Sequence, residues 1–140
     1  MSMQMQERIA VTTYVVPFVF QASNIPDAAG TANTIEATTP HYVMPFAGSV
    51  IAISVRHNAD LTGGVITWNP TIDGTANTSL GCVTDDTNQQ RSARVGAGVV
   101  RFSANQRLGV AWTETGTVAP TTTDVSIVVL VAFDDVNLVP

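Results

Sequence analysis

Apolar and polar residues alternate with a period of two along several short stretches of the chain. The clearest stretch runs from Val50 to Arg56, after Pro45 and Gly48 punctuate its start. One side of it holds Ile51, Ile53 and Val55, and the other holds Ala52, Ser54 and Arg56. A period of two places successive side chains on opposite faces of a β-strand. The stretch is therefore predicted to be a strand with one apolar face.

A weaker version of this pattern runs from Phe102 to Trp112. Leu108, Val110 and Trp112 form its apolar side, with small residues between them. Like the first unit, it begins with an aromatic residue and a turn before the alternation starts. Two such units predict an all-β fold with two related halves.

Turn residues separate the other predicted strands, as at Gly63-Gly64, Asp73-Gly74 and Glu114-Thr115-Gly116. No window shows a sustained period of 3.6 residues, and valine, isoleucine and threonine are abundant while strong helix formers are sparse. Short strands with frequent turn signals are typical of sandwiches and jelly rolls. The predicted fold class is an antiparallel jelly-roll β-sandwich.

The N-terminal region is β-rich and apolar on both sides, but it contains Pro17. Proline cannot donate to a β-ladder, so an edge strand or an extended arm is expected here. One side of it, with Tyr14, Val16, Phe18 and Phe20, is predicted to contact a neighbouring subunit. Since loop residues follow, the predicted division is an N-terminal arm and loop at 1–33 and a jelly-roll domain at 34–140.

The last strand, Asp124 to Phe133, is apolar on both faces. A sandwich strand usually shows one face to water, so the second apolar face implies a second buried surface. Either an arm of the same chain or an identical strand across a symmetry axis could cover it, and we favour the axis. The residues predicted for a trimer interface are Val128, Leu130, Ala132, Ala52 and Ser54.

Composition supports a covered surface. Charged residues make up only 12% of the 140 residues, hydrophobic residues make up 45%, and there is no lysine. A net charge of −5 without clustered basic residues argues against nucleic-acid binding. No stretch has the length of a signal peptide's or membrane span's apolar core. The single cysteine, Cys82, excludes an intrachain disulfide and is expected to be a buried free thiol.

Catalytic motifs are not found in the sequence. His41 and His57 lack metal-ligand spacing, and no nucleophile elbow or phosphate loop is present. A cupin-like oxygenase would need a better metal triad, so neither enzymatic activity nor a cofactor is expected. Two acidic pairs are weak candidates for Ca²⁺ ligands, although solvated loops explain them as well: Asp85, Asp86, Asp134 and Asp135.

The Met44–Val50 and Phe102–Val110 stretches, together with Val118-Ala119-Pro120 and the last strand, resemble a known module. It is the trimeric jelly roll of the complement/tumour-necrosis-factor-like type, which also occurs in bacteriophage virion proteins. The resemblance covers about residues 40–134. It implies a homotrimer with the last strand near the three-fold axis. No collagen-like stalk is present, which favours a free-standing protein over a fibre tip.

The leading hypothesis is a homotrimeric capsid decoration (cement) protein of a phage virion, assembled in the host cytoplasm. It would bind the major capsid protein or another virion protein, and the same arm residues, Tyr14, Val16, Phe18 and Phe20, are then predicted to contact the capsid or a neighbouring subunit. A shell-specific binder stabilises the shell by mass action. The alternative is a receptor- or glycan-binding module of a head or tail fibre, which would use the Gly63–Gly74 or Asp85–Arg94 segments as loops. No nucleic acid or membrane partner is expected.

Overall fold

The computed structural model describes residues 14–25, 29–34 and 39–134, and this part of the chain is built from strands without a helix. Twelve strands follow one another: β1 (Tyr14–Ala22), β2 (Gly30–Thr31), β3 (Asn33–Thr34), β4 (His41–Val43), β5 (Gly48–His57), β6 (Gly63–Ile72), β7 (Thr75–Ala76), β8 (Cys82–Thr84), β9 (Gln90–Arg94), β10 (Val100–Phe102), β11 (Arg107–Ala119) and β12 (Val125–Phe133).

The strands form two antiparallel sheets. The first sheet has the order β10-β5-β12-β1-β3, and β9 also pairs with β5. The second sheet has the order β2-β11-β6-β7, with β4 on β11 and β8 on β6. The chain crosses repeatedly between the sheets, since β4, β6 and β11 lie in the second while β5, β10 and β12 lie in the first. The predicted all-β, antiparallel sandwich is confirmed.

The core lies between the two sheets, where each contributes its apolar side. Trp68 and Trp112 of the second sheet contact each other with ring centroids 5.5 Å apart and planes inclined at 44°, and both are buried. From the first sheet, Ile53 and Val129 are fully buried. Burial of large apolar side chains is the main favourable term that holds such a sandwich together.

Residues 14–22 of the predicted arm form β1, which pairs with β12 along its whole length, from Tyr14 opposite Phe133 to Ala22 opposite Val125. The strand is therefore part of the first sheet and of its core. Residues 1–13 lie outside the described residues, and the domain boundary between 33 and 34 stays a prediction.

One residue of the clearest strand faces a different way from the prediction. The register between β12 and β5 shifts between Leu130, opposite Ala52, and Val131, opposite Val50. A β-bulge inserts one extra residue, here Ile51, which is half-buried while Val50 is fully buried. The alternation of Ile51 with Ile53 is thus interrupted by a bulge that a period of two does not reveal.

Candidate functional site

The side of the first sheet that faces away from the core is the candidate site, and we call it the outer face. Strand register places its side chains in transverse rows on β1, β12, β5 and β9. From one end to the other the rows are Gln21-Ser126-Arg56-Gln90, then Val19-Val128-Ser54-Ser92, then Pro17-Leu130-Ala52-Arg94. Val15 and Ala132 continue them on β1 and β12.

Beyond the row of Gln21 and Ser126, the part of the outer face on β1 and β12 is apolar, and Ala52 of β5 adjoins it. We call its members the apolar stripe: Val15, Pro17, Val19, Ala52, Val128, Leu130 and Ala132. Val15 is 54% exposed, and Val128 and Leu130 are half-buried by their neighbours in the sheet. In the described part of the chain the two sheets pack on each other through their opposite sides, so no third layer covers the stripe. A contiguous apolar strip of this kind marks an interaction surface.

The half of the outer face on β5 and β9 is polar. Ser54 and Ser92 are exposed between the two arginines, Arg56 and Arg94. Two shallow grooves run here, of about 400 and 540 Å³, and they share Ser54 and Ser92 as lining residues. Val128 lines the first groove and Leu130 the second, so both grooves join the polar half to the apolar stripe.

The structure brings together the five residues that the sequence assigns to a trimer interface. Ala52 and Leu130 are direct register partners, as are Ser54 and Val128. Ala132 follows on the same side of β12 but is 6% exposed, so it offers little surface. Their role as an interface stays a prediction.

The residues predicted to contact the capsid or a neighbouring subunit require a correction. Phe20 is fully buried, and Val16 and Phe18 pack against the core, because this side of β1 faces the second sheet. Only Tyr14, 39% exposed, keeps a substantial surface. The opposite side of β1 is the outward one. Since both sides of β1 are apolar, alternation alone could not tell them apart.

The open edge of β1 is protected against the addition of another strand. Its neighbour β3 pairs only at Phe20 and Gln21. The carbonyl of Val19 accepts a hydrogen bond from the Tyr42 hydroxyl (2.9 Å), and Pro17 has no N–H to offer. Unpaired strand edges invite pairing with other chains, and prolines or capped carbonyls reduce that tendency. Association is therefore expected through the outer face.

A buried polar cluster links the two sheets at the end of β5. Thr84 Oγ1 accepts a hydrogen bond from Trp68 Nε1 (3.0 Å) and lies 2.8 Å from His57 Nε2. His57 is only 5% exposed, and burial lowers its pKa to about 4, so the imidazole is neutral at pH 7. A neutral ring hydrogen-bonded to a core hydroxyl has a packing role.

Three of the four weak Ca²⁺ candidates, Asp85, Asp86 and Asp134, have protein partners. Asp85 Oδ1 accepts three hydrogen bonds, from the backbone N–H groups of Thr87 and Asn88 and from Asn88 Nδ2, and these lower the pKa of the carboxyl group. Asp134 forms an ion pair with Arg101. Asp135 lies outside the described residues. Within residues 14–25, 29–34 and 39–134, no group of three or more metal-ligating side chains comes together.

Cys82 is a buried free thiol, as predicted, and burial raises its pKa to about 11. It is therefore unreactive at neutral pH. Of the two segments that the glycan-binding alternative treats as loops, Gly63–Gly74 is almost entirely strand β6, whereas Asp85–Arg94 is a loop followed by strand β9. In the described ranges, no helix is long and apolar enough to span a membrane.

Comparisons with known proteins give only distant similarities. No protein-family model matches the chain, and no curated protein sequence matches it. One similar solved structure is described as the acidic stable capsid structure of Helicobacter pylori bacteriophage KHP30, with 11% identity, 87% of this chain and 94% of that chain covered, and a TM-score of 0.48. Another is the cyanophage Pam1 capsid asymmetric unit, with 14% identity, 88% and 86% coverage, and a TM-score of 0.47. At these values the likeness carries no conclusion about function.

Proposed function

We propose that this chain is a structural protein of a phage virion, a homotrimer that decorates the capsid and stabilises it. The observation that carries the proposal is the apolar stripe on the outer face. Val128 and Leu130 stand beside Val19 and Pro17 on a sheet surface where water-facing strands usually carry polar residues. Covering this stripe removes apolar area from water and so favours association.

A closed ring of three copies would cover the stripe. Three-fold contacts are heterologous, so the stripe of one copy would meet a different surface of the next, and the ring closes. The protected edge of β1 disfavours open-ended strand pairing, which would give fibres instead. The resemblance to trimeric jelly rolls stated from the sequence supports a closed ring of three copies.

Decoration of a shell would stabilise it by mass action, because a ligand that binds only the assembled particle shifts the equilibrium towards it. The two likenesses to phage capsid structures are too slight to support a role in capsid decoration. It rests on the resemblance stated from the sequence and on the interaction surface.

The first test is the molar mass of the full chain at micromolar concentration, measured by light scattering. A mass three times that of the 14.7 kDa chain is expected. Leu130→Arg places a charge in the stripe and should give a folded monomer, whereas Thr113→Arg, at an exposed position of the second sheet, should leave the trimer intact. A monomeric wild-type chain would contradict the proposal.

The second test uses source particles that lack the protein. Binding of the trimer to empty capsids, with a rise in their melting temperature, is expected for a decoration protein. Binding to host cells or purified glycans without binding to capsids would decide for the receptor-binding alternative. A cleft of about 440 Å³ beside the outer face, lined by Gln21, Arg56, Asn58 and Asp124 among others, is where such a ligand would be sought.

A further inference from the structure

Charge on the outer face has one sign. Arg56 and Arg94 are both exposed there, and neither forms an ion pair with a described residue. A third arginine of the first sheet, Arg101, is neutralised by its ion pair with Asp134. No aspartate or glutamate stands in the rows of the outer face. The rows therefore carry two positive charges, and Asp124 lies just beyond them, in the cleft that Arg56 also lines.

The rest of the chain is acidic. The sequence holds six basic and eleven acidic residues, so without Arg56 and Arg94 four basic residues face eleven acidic ones, a net charge of −7. Exposed carboxylates include Asp60, Asp86 and Asp124, on the loops that flank β5, β9 and β12. The positive rows of one copy are complementary in charge to these acidic loops of another copy.

We propose that the occupant of the outer face is the acidic surface of a second copy of this chain, whose carboxylates pair with Arg56 and Arg94. This inference rests on the proposed homotrimer and specifies its contact. Covering the stripe also covers the neighbouring arginines in part, and a guanidinium removed from water without an acidic partner is unfavourable. A face-to-face two-fold dimer would bring only positive charges together, whereas a cyclic contact brings opposite charges together.

The contact needs more than one carboxylate. Arg94 lies opposite Ala52 in register, and Arg56 lies opposite Gln90, four residues along β5. Strand geometry puts the two arginine Cα atoms roughly 14 Å apart. They therefore mark opposite ends of the polar half of the outer face and fix the orientation of the second copy.

The experiment is sedimentation of the full chain from ~0.1 M to ~1 M salt, over which the screening length falls from about 10 to about 3 Å. The wild type should associate at least roughly tenfold more weakly at high salt, through loss of charge complementarity. The double variant R56Q/R94Q should associate weakly at both salts. Arg107→Gln is the matched control, because Arg107 is an exposed arginine on β11 of the second sheet.

Circular dichroism establishes that each variant is folded, and the exposed positions make this the expected result. If the wild type forms trimers whose strength depends neither on salt nor on the two arginines, the inference is wrong and the proposed trimer stands. If the wild type is monomeric at every salt, both fail. If R56Q/R94Q forms normal trimers but no longer binds capsids, the arginines face another virion protein, and the inference is overturned.

Discussion

The outer surfaces of the two sheets have the same strand geometry and different chemistry. On the second sheet, Thr113 and Thr67 face each other across β11 and β6, and Ala111 faces Asn69. On the first sheet, the corresponding central pairs join β1 to β12 and bring Val19 to Val128 and Pro17 to Leu130. Both surfaces carry few charges.

Threonine and valine have nearly the same shape and both favour strands, because each is branched at Cβ. They differ in the hydroxyl group, which keeps a surface hydrated. A protein can thus have few charged residues on both sheets and still have one surface that is well hydrated and another that is poorly hydrated. Low charge alone does not locate an interface; the distribution of hydroxyl groups between the sheets does.

The largest expected effect on stability distinguishes the buried side of β1 from its outer side. Phe20→Ala removes a fully buried side chain and should lower the free energy of unfolding by about 3–5 kcal/mol. Val19→Ala, one residue away on the outer face, should lower the stability of the monomer by less than about 1 kcal/mol. Urea denaturation of both variants in a monomeric Leu130→Arg background measures the difference. Equal effects would show that β1 is not oriented as described.

The sequence predicts the sandwich well because its strands carry local signals. Asp73-Gly74 is predicted as a tight turn, and it joins β6 to β7 with positive φ angles of 51° and 83°, as a type I′ turn requires. Leu108, Val110 and Trp112 are buried where the alternation places them. Such signals lie within a few residues of one another.

The candidate site was predicted only in part. The sequence predicts Val128 and Leu130 as interface residues because β12 is apolar on both sides. It does not predict that Val15, Pro17 and Val19 lie beside them. Which side of β1 faces outward depends on its register with β12, a contact between the two ends of the chain. Alternation places Arg56 on the same side of its strand as Ala52 and Ser54, but only strand pairing shows that Arg94 shares this surface.

The next largest expected effect is a loss of stability at low pH, caused by His57 in the buried polar cluster that joins the two sheets. The pKa of His57 is about 4 in the folded chain, against 6.5 for the free side chain. Between these values the unfolded chain binds more protons, so stability is complete above pH 6.5 and is lost as pH falls towards 4. A loss on the order of 1–3 kcal/mol is expected across this window.

Denaturation from pH 7 to pH 4.5 measures the loss. His57→Asn should flatten the curve in this range, while His41→Asn, at a partly exposed position, should leave most of the slope in place. A wild-type curve that is flat over the window would show that His57 is not buried in its neutral form. Asp73 and Asp85, whose pKa values are lowered by hydrogen bonds, act at more acid pH.

The third prediction concerns a variant whose first sheet carries threonines on its outer face, as the second sheet does. Val128→Thr with Leu130→Thr gives the first sheet the threonines of the second and should weaken self-association at least roughly tenfold. The stability of the monomer should change by about 1 kcal/mol or less, because both side chains are half-exposed. Concentration-dependent light scattering measures the association. The matched control is Thr67→Val with Thr113→Val, which should not create a new oligomer unless an apolar surface alone is sufficient.

The smallest expected effect tests the protected edge of β1. Tyr42→Phe removes the hydroxyl that caps the Val19 carbonyl, and the loss of one hydrogen bond should reduce stability by about 0.5–1.5 kcal/mol. The ring itself should stay in place, since it packs against Phe18 and Phe20 with centroids 5.2 Å away in each case. A freed carbonyl also makes the edge a better template for strand addition, so slow growth of higher oligomers should accompany the small loss. If Tyr42→Phe is less stable but forms no species larger than the wild type, Pro17 alone is sufficient to block the edge, and association remains confined to the outer face.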